Sequence, residues 1–171
     1  DYSSIFVERY EGNWEVLMDM ELLVVDVLME YGITDKLTIS FQPVFLHMSD
    51  GFLDNFLESY HDTLGVSDYG RENRPQDEFG YQITYRDQNW VRGRKQGFHL
   101  ADSPVSLKYA VLQKSRGNPL DLSVAYLLKI PFGDPEFGFG SGNVDHGLHL
   151  LSQFYLDPVT LYLSGGYNLL S

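Results

Sequence analysis

"LDLSVAYLLKI", residues 120–130, alternates without a slip. Leu120, Leu122, Val124, Tyr126, Leu128 and Ile130 stand against Asp121, Ser123, Ala125, Leu127 and Lys129. A period of two marks a β-strand whose faces meet different media, because successive side chains point to opposite sides of the pleat. "VSLKYAVLQ" (105–113) repeats the pattern, with Val105, Leu107, Tyr109 and Val111 opposite Ser106, Lys108 and Ala110. "VTLYLSGGYNL" (159–169) and "HGLHLLSQFYL" (146–156) do the same, the second less cleanly. "LTISFQPVFLH" (37–47) opposes Leu37, Ile39, Phe41 and Phe45 to Thr38, Ser40 and Gln42. "LLVVDVLMEY" (22–31) sets Asp26 and Glu30 against Leu23, Val25, Val27, Met29 and Tyr31.

These read as six strands of about ten residues, against roughly five or six for an ordinary strand and about nine to eleven for one tilted across a bilayer. The connections alternate between short and long: "GITDK", then residues 49–104, "KSRGNP", "PFGDPEFGFGSGN" and "DP". Outer-membrane barrels show that asymmetry, with tight turns at one rim and long loops at the other. The apolar face of all six strands carries no Asp, Glu, Lys or Arg, whereas Asp26, Glu30, Lys108, Asp121, Lys129 and Asp145 occupy the other. Lipid would impose that exclusion, since Arg or Lys at mid-bilayer costs about 2–4 kcal/mol. The fold expected is all-β: an antiparallel, up-and-down transmembrane β-barrel in one domain. Six strands cannot close a barrel whose smallest bacterial form has about eight, so the sequence is expected to be part of a longer one. "NWEVLMDMEL" (13–22) alternates in the opposite parity to 23–31. Either a bulge near Leu22 shifts the phase, or residues are missing there.

Composition agrees with a turn-rich β-protein: 16 glycines and 15% aromatics. Twelve Lys and Arg against 24 Asp and Glu give a net charge of −12, which disfavours nucleic acid as a partner because phosphate binding needs a basic stripe. "RGRK" (92–95) is too short to supply one. The absence of cysteine excludes disulfides, thiolate catalysis and Cys-ligated metals. No apolar run is long enough for a transmembrane helix. The opening "DYSSIFVERYEGN" is not a secretory signal and fits a processed or truncated N-terminus.

The 49–104 connection holds the clearest helical pattern, over residues 52–64. Phe52, Phe56, Leu57, Tyr60 and Leu64 share one face and Asp54, Glu58 and Asp62 mark the other. A hairpin is expected over 79–98. Glu58 and His61 have the i, i+3 spacing of carboxylate-bridged di-metal sites, with Asp54 and Asp62 near. Such sites need a second Glu-x-x-His helix and further glutamates, and the sequence holds no second copy of the motif. The favoured reading is a loop helix that packs its aromatic face on the barrel mouth. Phe52, Phe56, Tyr60 and Trp90 are alternatively suited to docking another envelope protein. His146 and His149 fall on opposite faces of a strand and cannot share a metal from it. "FGDPEFGFGSGN" lacks the Lys-Ser/Thr of a phosphate-binding loop and reads as a mobile connection. No nucleophile motif assembles Ser, His and Asp, so no enzyme is indicated, although an outer-membrane hydrolase is not excluded, and no cofactor is implied.

"YGITDKLTISFQPVF", "GFLDNFLESYHDTLG", "GRENRPQDEFGYQ", "LKIPFGD" and "GSGNVDHGL" occur in that order. Together they resemble the bacterial outer-membrane proteins grouped as domain of unknown function 3187, from about Tyr31 to the C-terminus. The resemblance implies an outer-membrane barrel with a large helix-bearing loop and no established activity. Relatives so pictured have more sequence before the Y-G-I-T-D turn and continue beyond "YNLLS".

The functional expectation is a bacterial outer-membrane barrel in contact with lipid, acting as a pore or passive transporter. Asp26, Glu30, Lys108, Asp121, Lys129 and Asp145 would face its lumen, either as an open mixed field or as a salt-bridged plug. The alternatives are a structural or assembly barrel that docks envelope proteins or further copies through the 49–104 loop, and a soluble β-barrel that binds lipid.

Overall fold

The computed structural model describes residues 1–50, 52–67, 75, 77–93 and 97–171. In chain order the elements are β1 (Tyr2–Glu11), β2 (Trp14–Asp26), β3 (Met29–Gly32), β4 (Leu37–Phe41), β5 (Val44–Ser49), α1 (Asp54–Leu64), β6 (Gly80–Tyr85), β7 (Gln88–Arg92), β8 (His99–Leu100), β9 (Ser103–Leu112), β10 (Leu120–Ile130), β11 (Asp145–Leu156) and β12 (Val159–Leu169). A 3₁₀ turn covers Pro135–Phe137. Among the described residues the fold is all-β with one α-helix, and the paired strands run antiparallel. Two compact units form: residues 1–25, 45–100 and 133–140 make the first, and 26–44, 101–132 and 141–171 the second.

The first unit is organised on β2, which bonds β1, β6 and β5, while β7 extends β6 and β8 extends β5. The two-residue turn between β1 and β2 places Gly12 at φ +61°, a conformation that suits glycine and matches the twist of the hairpin. β6 and β7 turn through Arg86 and Asp87, both at positive φ. The core gathers Met20, Met48 and Phe139, with Ile5, Leu22, Leu46, Phe79, Tyr81 and Phe137 against them. Gly133 and Gly138 allow Phe139 its place: a Cβ on Gly133 would sit 2.0 Å from the Phe139 carbonyl oxygen, and one on Gly138 would strike the Tyr81 ring. The glycine-rich connection read as mobile is thus held in the core by Phe139, whose ring also stacks on His99 at 4.2 Å.

Of the two causes offered for the phase change near Leu22, the bulge is not seen in the β1–β2 ladder. The β1–β2 ladder runs unbroken from Glu11↔Trp14 to Tyr2↔Leu23, so no bulge interrupts it. Instead β2 is covered on both faces at its middle: Met20 is buried in the core, and Asp19 and Glu21 are buried on the other side. Where both faces are covered, alternation loses its meaning.

The second unit is one sheet in the order β3-β4-β9-β10-β11-β12. The long periodic segments 105–113, 120–130, 146–156 and 159–169 coincide with β9 to β12. Two expected strands are broken. The stretch 37–47 is interrupted at Gln42–Pro43, because Pro43 has no N–H for a ladder, and 22–31 is interrupted at Val27–Leu28. There the Val27 amide donates to the Pro43 carbonyl at 3.2 Å. The register shifts between Leu122 and Ser123, where Leu112 and Ala110 are the partners and Val111 is the extra residue of a bulge.

That sheet is inside-out by the standards of a water-soluble domain. Tyr31, Ile39, Leu107, Tyr126, Leu148 and Tyr167 are successive cross-strand partners on one face, and each is exposed, Leu148 by 58% and Tyr126 by 45%. On the opposite face Ser106, Lys108, Ala125 and His149 are all more covered than these apolar neighbours.

Candidate functional site

The polar face of the second unit brings most of the sequence-selected charges into pairs. Ser123, Ala110, Leu151 and Ser164 form one row across β9 to β12, and Asp121, Gln153 and Tyr162 the next. Glu30, on β3, meets the Lys108 ammonium at 3.6 Å, beside a Ser40–Ser106 hydroxyl contact of 2.6 Å. Asp121 accepts from the Tyr155 hydroxyl at 2.6 Å and from the Lys114 amide, while the Lys114 ammonium stands 3.8 Å from the centre of the Tyr155 ring. Lys129 lies 2.5 Å from Asp145 and 3.2 Å from Asp102, and donates to Ser141 Oγ at 2.6 Å. Asp26 accepts from Gln42 Nε2 at 2.6 Å.

Asp102 and Ser141, which complete the Lys129 cluster, carry no periodic signal that sequence reading could have used, whereas Tyr155 falls in the polar phase of 146–156. They become partners only through strand register and a loop return. Beside the Asp121–Tyr155 pair, the same face opens into a groove of about 790 Å³.

His149 lies on this face with Ala125 and Gly166 as its cross-strand neighbours. Its Nε2 is 3.0 Å from Asn168 Oδ1. A Cβ on Gly166 would come within 2.6 Å of the imidazole, so glycine makes room for the ring. His146 sits on the opposite face, with Nδ1 2.6 Å from the Tyr126 hydroxyl. Among the described residues no group of three or more His, Cys, Asp or Glu is gathered in a way that could hold a metal ion.

In the first unit, α1 is turned over relative to the packing expected of it. Phe52, Phe56, Tyr60 and Leu64 are exposed, Phe52 by 72% and Phe56 by 64%, while Asp54 is buried. Phe56 and Tyr60 stack on each other at 6.3 Å, and Tyr2 lies 6.0 Å from Phe52. Trp90 is also exposed, edge-on to Trp14 at 5.4 Å.

The inversion follows from two carboxylates that face inward. Glu21, fully buried, accepts from the Phe52 and Leu53 amides at 2.9 and 2.6 Å and from the Tyr2 hydroxyl. Leu53 is the N-cap and offers no side-chain cap, so Glu21 supplies from another strand the anion that a helix N-terminus favours. Asp54 accepts from the Asp77 amide at 2.8 Å. Gly65, at φ +66°, ends the helix, and the Val66 amide closes back on the His61 carbonyl at 3.0 Å.

Partial burial and the Glu21 carboxylate push the Tyr2 phenol up to about 12, and burial raises the Tyr81 phenol. Of the "RGRK" cluster, Arg94 and Lys95 lie outside the described residues, as does most of "GRENRPQ" and part of the 79–98 hairpin segment.

No curated protein and no solved structure matches the chain. A family model does, over residues 1–159, a stretch that starts thirty residues ahead of the resemblance at Tyr31 and so takes in β1 and β2. The chain therefore belongs to the family described as Protein of unknown function (DUF3187).

Proposed function

We propose that this chain forms wall and loops of a bacterial outer-membrane β-barrel that acts as a pore or passive transporter for small polar solutes. In this reading β9 to β12, the strands of ten residues or more in the second unit, cross the bilayer. The observation that carries it is the inside-out sheet. The apolar face is the more exposed one and bears no charged residue, while Glu30, Lys108, Asp121, Lys129 and Asp145 share the other. A water-soluble barrel that binds lipid would turn the apolar face inward. Tyr31, Tyr126 and Tyr167, in one cross-strand row on β3, β10 and β12, suit an interfacial girdle.

The test is reconstitution of the complete protein. Lipid flotation, a heat-dependent shift in gel mobility and ion conductance in planar bilayers are the expected results. A protein that stays in the aqueous fraction and conducts nothing would end the proposal.

A second reading, a barrel that docks an envelope partner, is favoured by the exposed Phe52–Phe56–Tyr60 stripe. It predicts insertion without conductance.

A further inference from the structure

The groove on the polar face of β9 to β12 carries more than a generic lumen does. Its volume, about 790 Å³, lies in the roughly 300–1,000 Å³ range of sites that enclose small ligands. Three charged side chains border it, and each is already engaged: Lys108 with Glu30, Asp121 with the Tyr155 hydroxyl, and the Lys114 ammonium with the Tyr155 ring. An incoming ion would have to break one of these pairs, and a paired charge acts at a distance only as a dipole.

The groups left over are neutral. The Ser123 and Ser164 hydroxyls make no hydrogen bond within the described chain and stand on either side of Leu151 in one cross-strand row. Tyr162 is 69% exposed, and Gln153 Nε2, donating to its hydroxyl at 3.2 Å, fixes the ring beside the groove. Hydroxyls that can donate or accept, next to an open aromatic face, match a solute that alternates hydroxyl edges with flat C–H faces.

Resting on the barrel reading above, the geometry points to a binding site for neutral polyhydroxylated solutes, that is saccharides, with Tyr162 as the stacking platform and Ser123 and Ser164 as hydrogen-bonding groups.

The experiment is calorimetric titration of the complete protein in detergent with maltohexaose, and with citrate and spermine as charged probes. Flotation on liposomes is run on the same preparations. Maltohexaose is expected to bind with Kd near about 1 mM. Tyr162→Ala should weaken it about tenfold and Ser123→Ala and Ser164→Ala about fivefold each, good polar and aromatic contacts being of that order. Tyr109→Ala, on the other face of β9, should leave it unchanged.

Binding of citrate or spermine in preference to the sugar overturns the inference. So does the absence of any sugar binding, or an equal loss in Tyr109→Ala. A protein that floats but binds no sugar rejects the groove and leaves the barrel standing. One that binds sugar and fails to float rejects the barrel and keeps the groove.

Discussion

Replacing Glu21 tests how the loop helix is held. Three donors end on this buried carboxylate: the Phe52 and Leu53 amides and the Tyr2 hydroxyl. A hydrogen bond to a charged group contributes about 1.5–3 kcal/mol. Phe52 is largely exposed and Tyr2 partly so, so water can recover part of what the donors lose. Glu21→Ala should therefore lower the free energy of local opening at α1 by about 3 kcal/mol, roughly a hundredfold in the open population. Glu21→Gln should cost only about 1 kcal/mol. Its amide oxygen can still accept both backbone N–H groups, and its NH₂ can donate to the Tyr2 oxygen. Hydrogen exchange followed by mass spectrometry reads this directly. Peptides over 52–64 should lose protection in the order wild type, Gln, Ala, while peptides from β11 keep theirs. Protection at 52–64 within about twofold of wild type in Glu21→Ala would refute the clamp. An equal loss in β11 would show that the damage is not local.

Four further outcomes are expected. Val124→Arg should impair membrane insertion by about 2–4 kcal/mol while Ser123→Arg is tolerated, because the two residues lie on opposite faces of β10 and the proposed barrel would turn only the first to lipid; insertion yields into liposomes check it. Lys129→Ala should lower the urea midpoint, since it removes the ammonium that bridges the Asp102 and Asp145 carboxylates, and Lys129→Arg should restore most of it. Gly166→Ala should cost about 1–3 kcal/mol by displacing the His149 ring, visible as a lower urea midpoint. Because the Tyr2 phenol is raised from 10 to about 12, its neutral form favours the folded state. That contribution is complete below pH 10 and fades as pH rises towards 12, so exchange at 52–64, corrected for its intrinsic pH dependence, should accelerate across that window.

Strands β9 to β12 were legible because each has one apolar and one polar face, and a period of two survives wherever that is so. β1 was not. Ser4, Phe6 and Glu8 alternate with Ile5, Val7 and Arg9, so each face mixes polar and apolar residues. Pro43 is plain in the sequence, but its effect on two neighbouring strands appears only once their register is known. The orientation of α1 was misread for a related reason. Amphipathicity shows that a helix has two faces without saying which one turns inward. Glu21 and Asp54 decide that through backbone amides distant in sequence, which leave no mark in any residue pattern.

The outward apolar face of β9 to β12 also bears on when the chain can fold. In most proteins collapse of apolar side chains precedes strand pairing and drives it. Here collapse in water would gather the face that the finished sheet turns outward, and would oppose its own topology. In the proposed barrel reading, ordered pairing would wait for an apolar solvent, or for a carrier that covers the same side chains during transit. On that reading the unfolded chain holds the competing hydrophobic cluster, and the stage before membrane contact is the hazardous one.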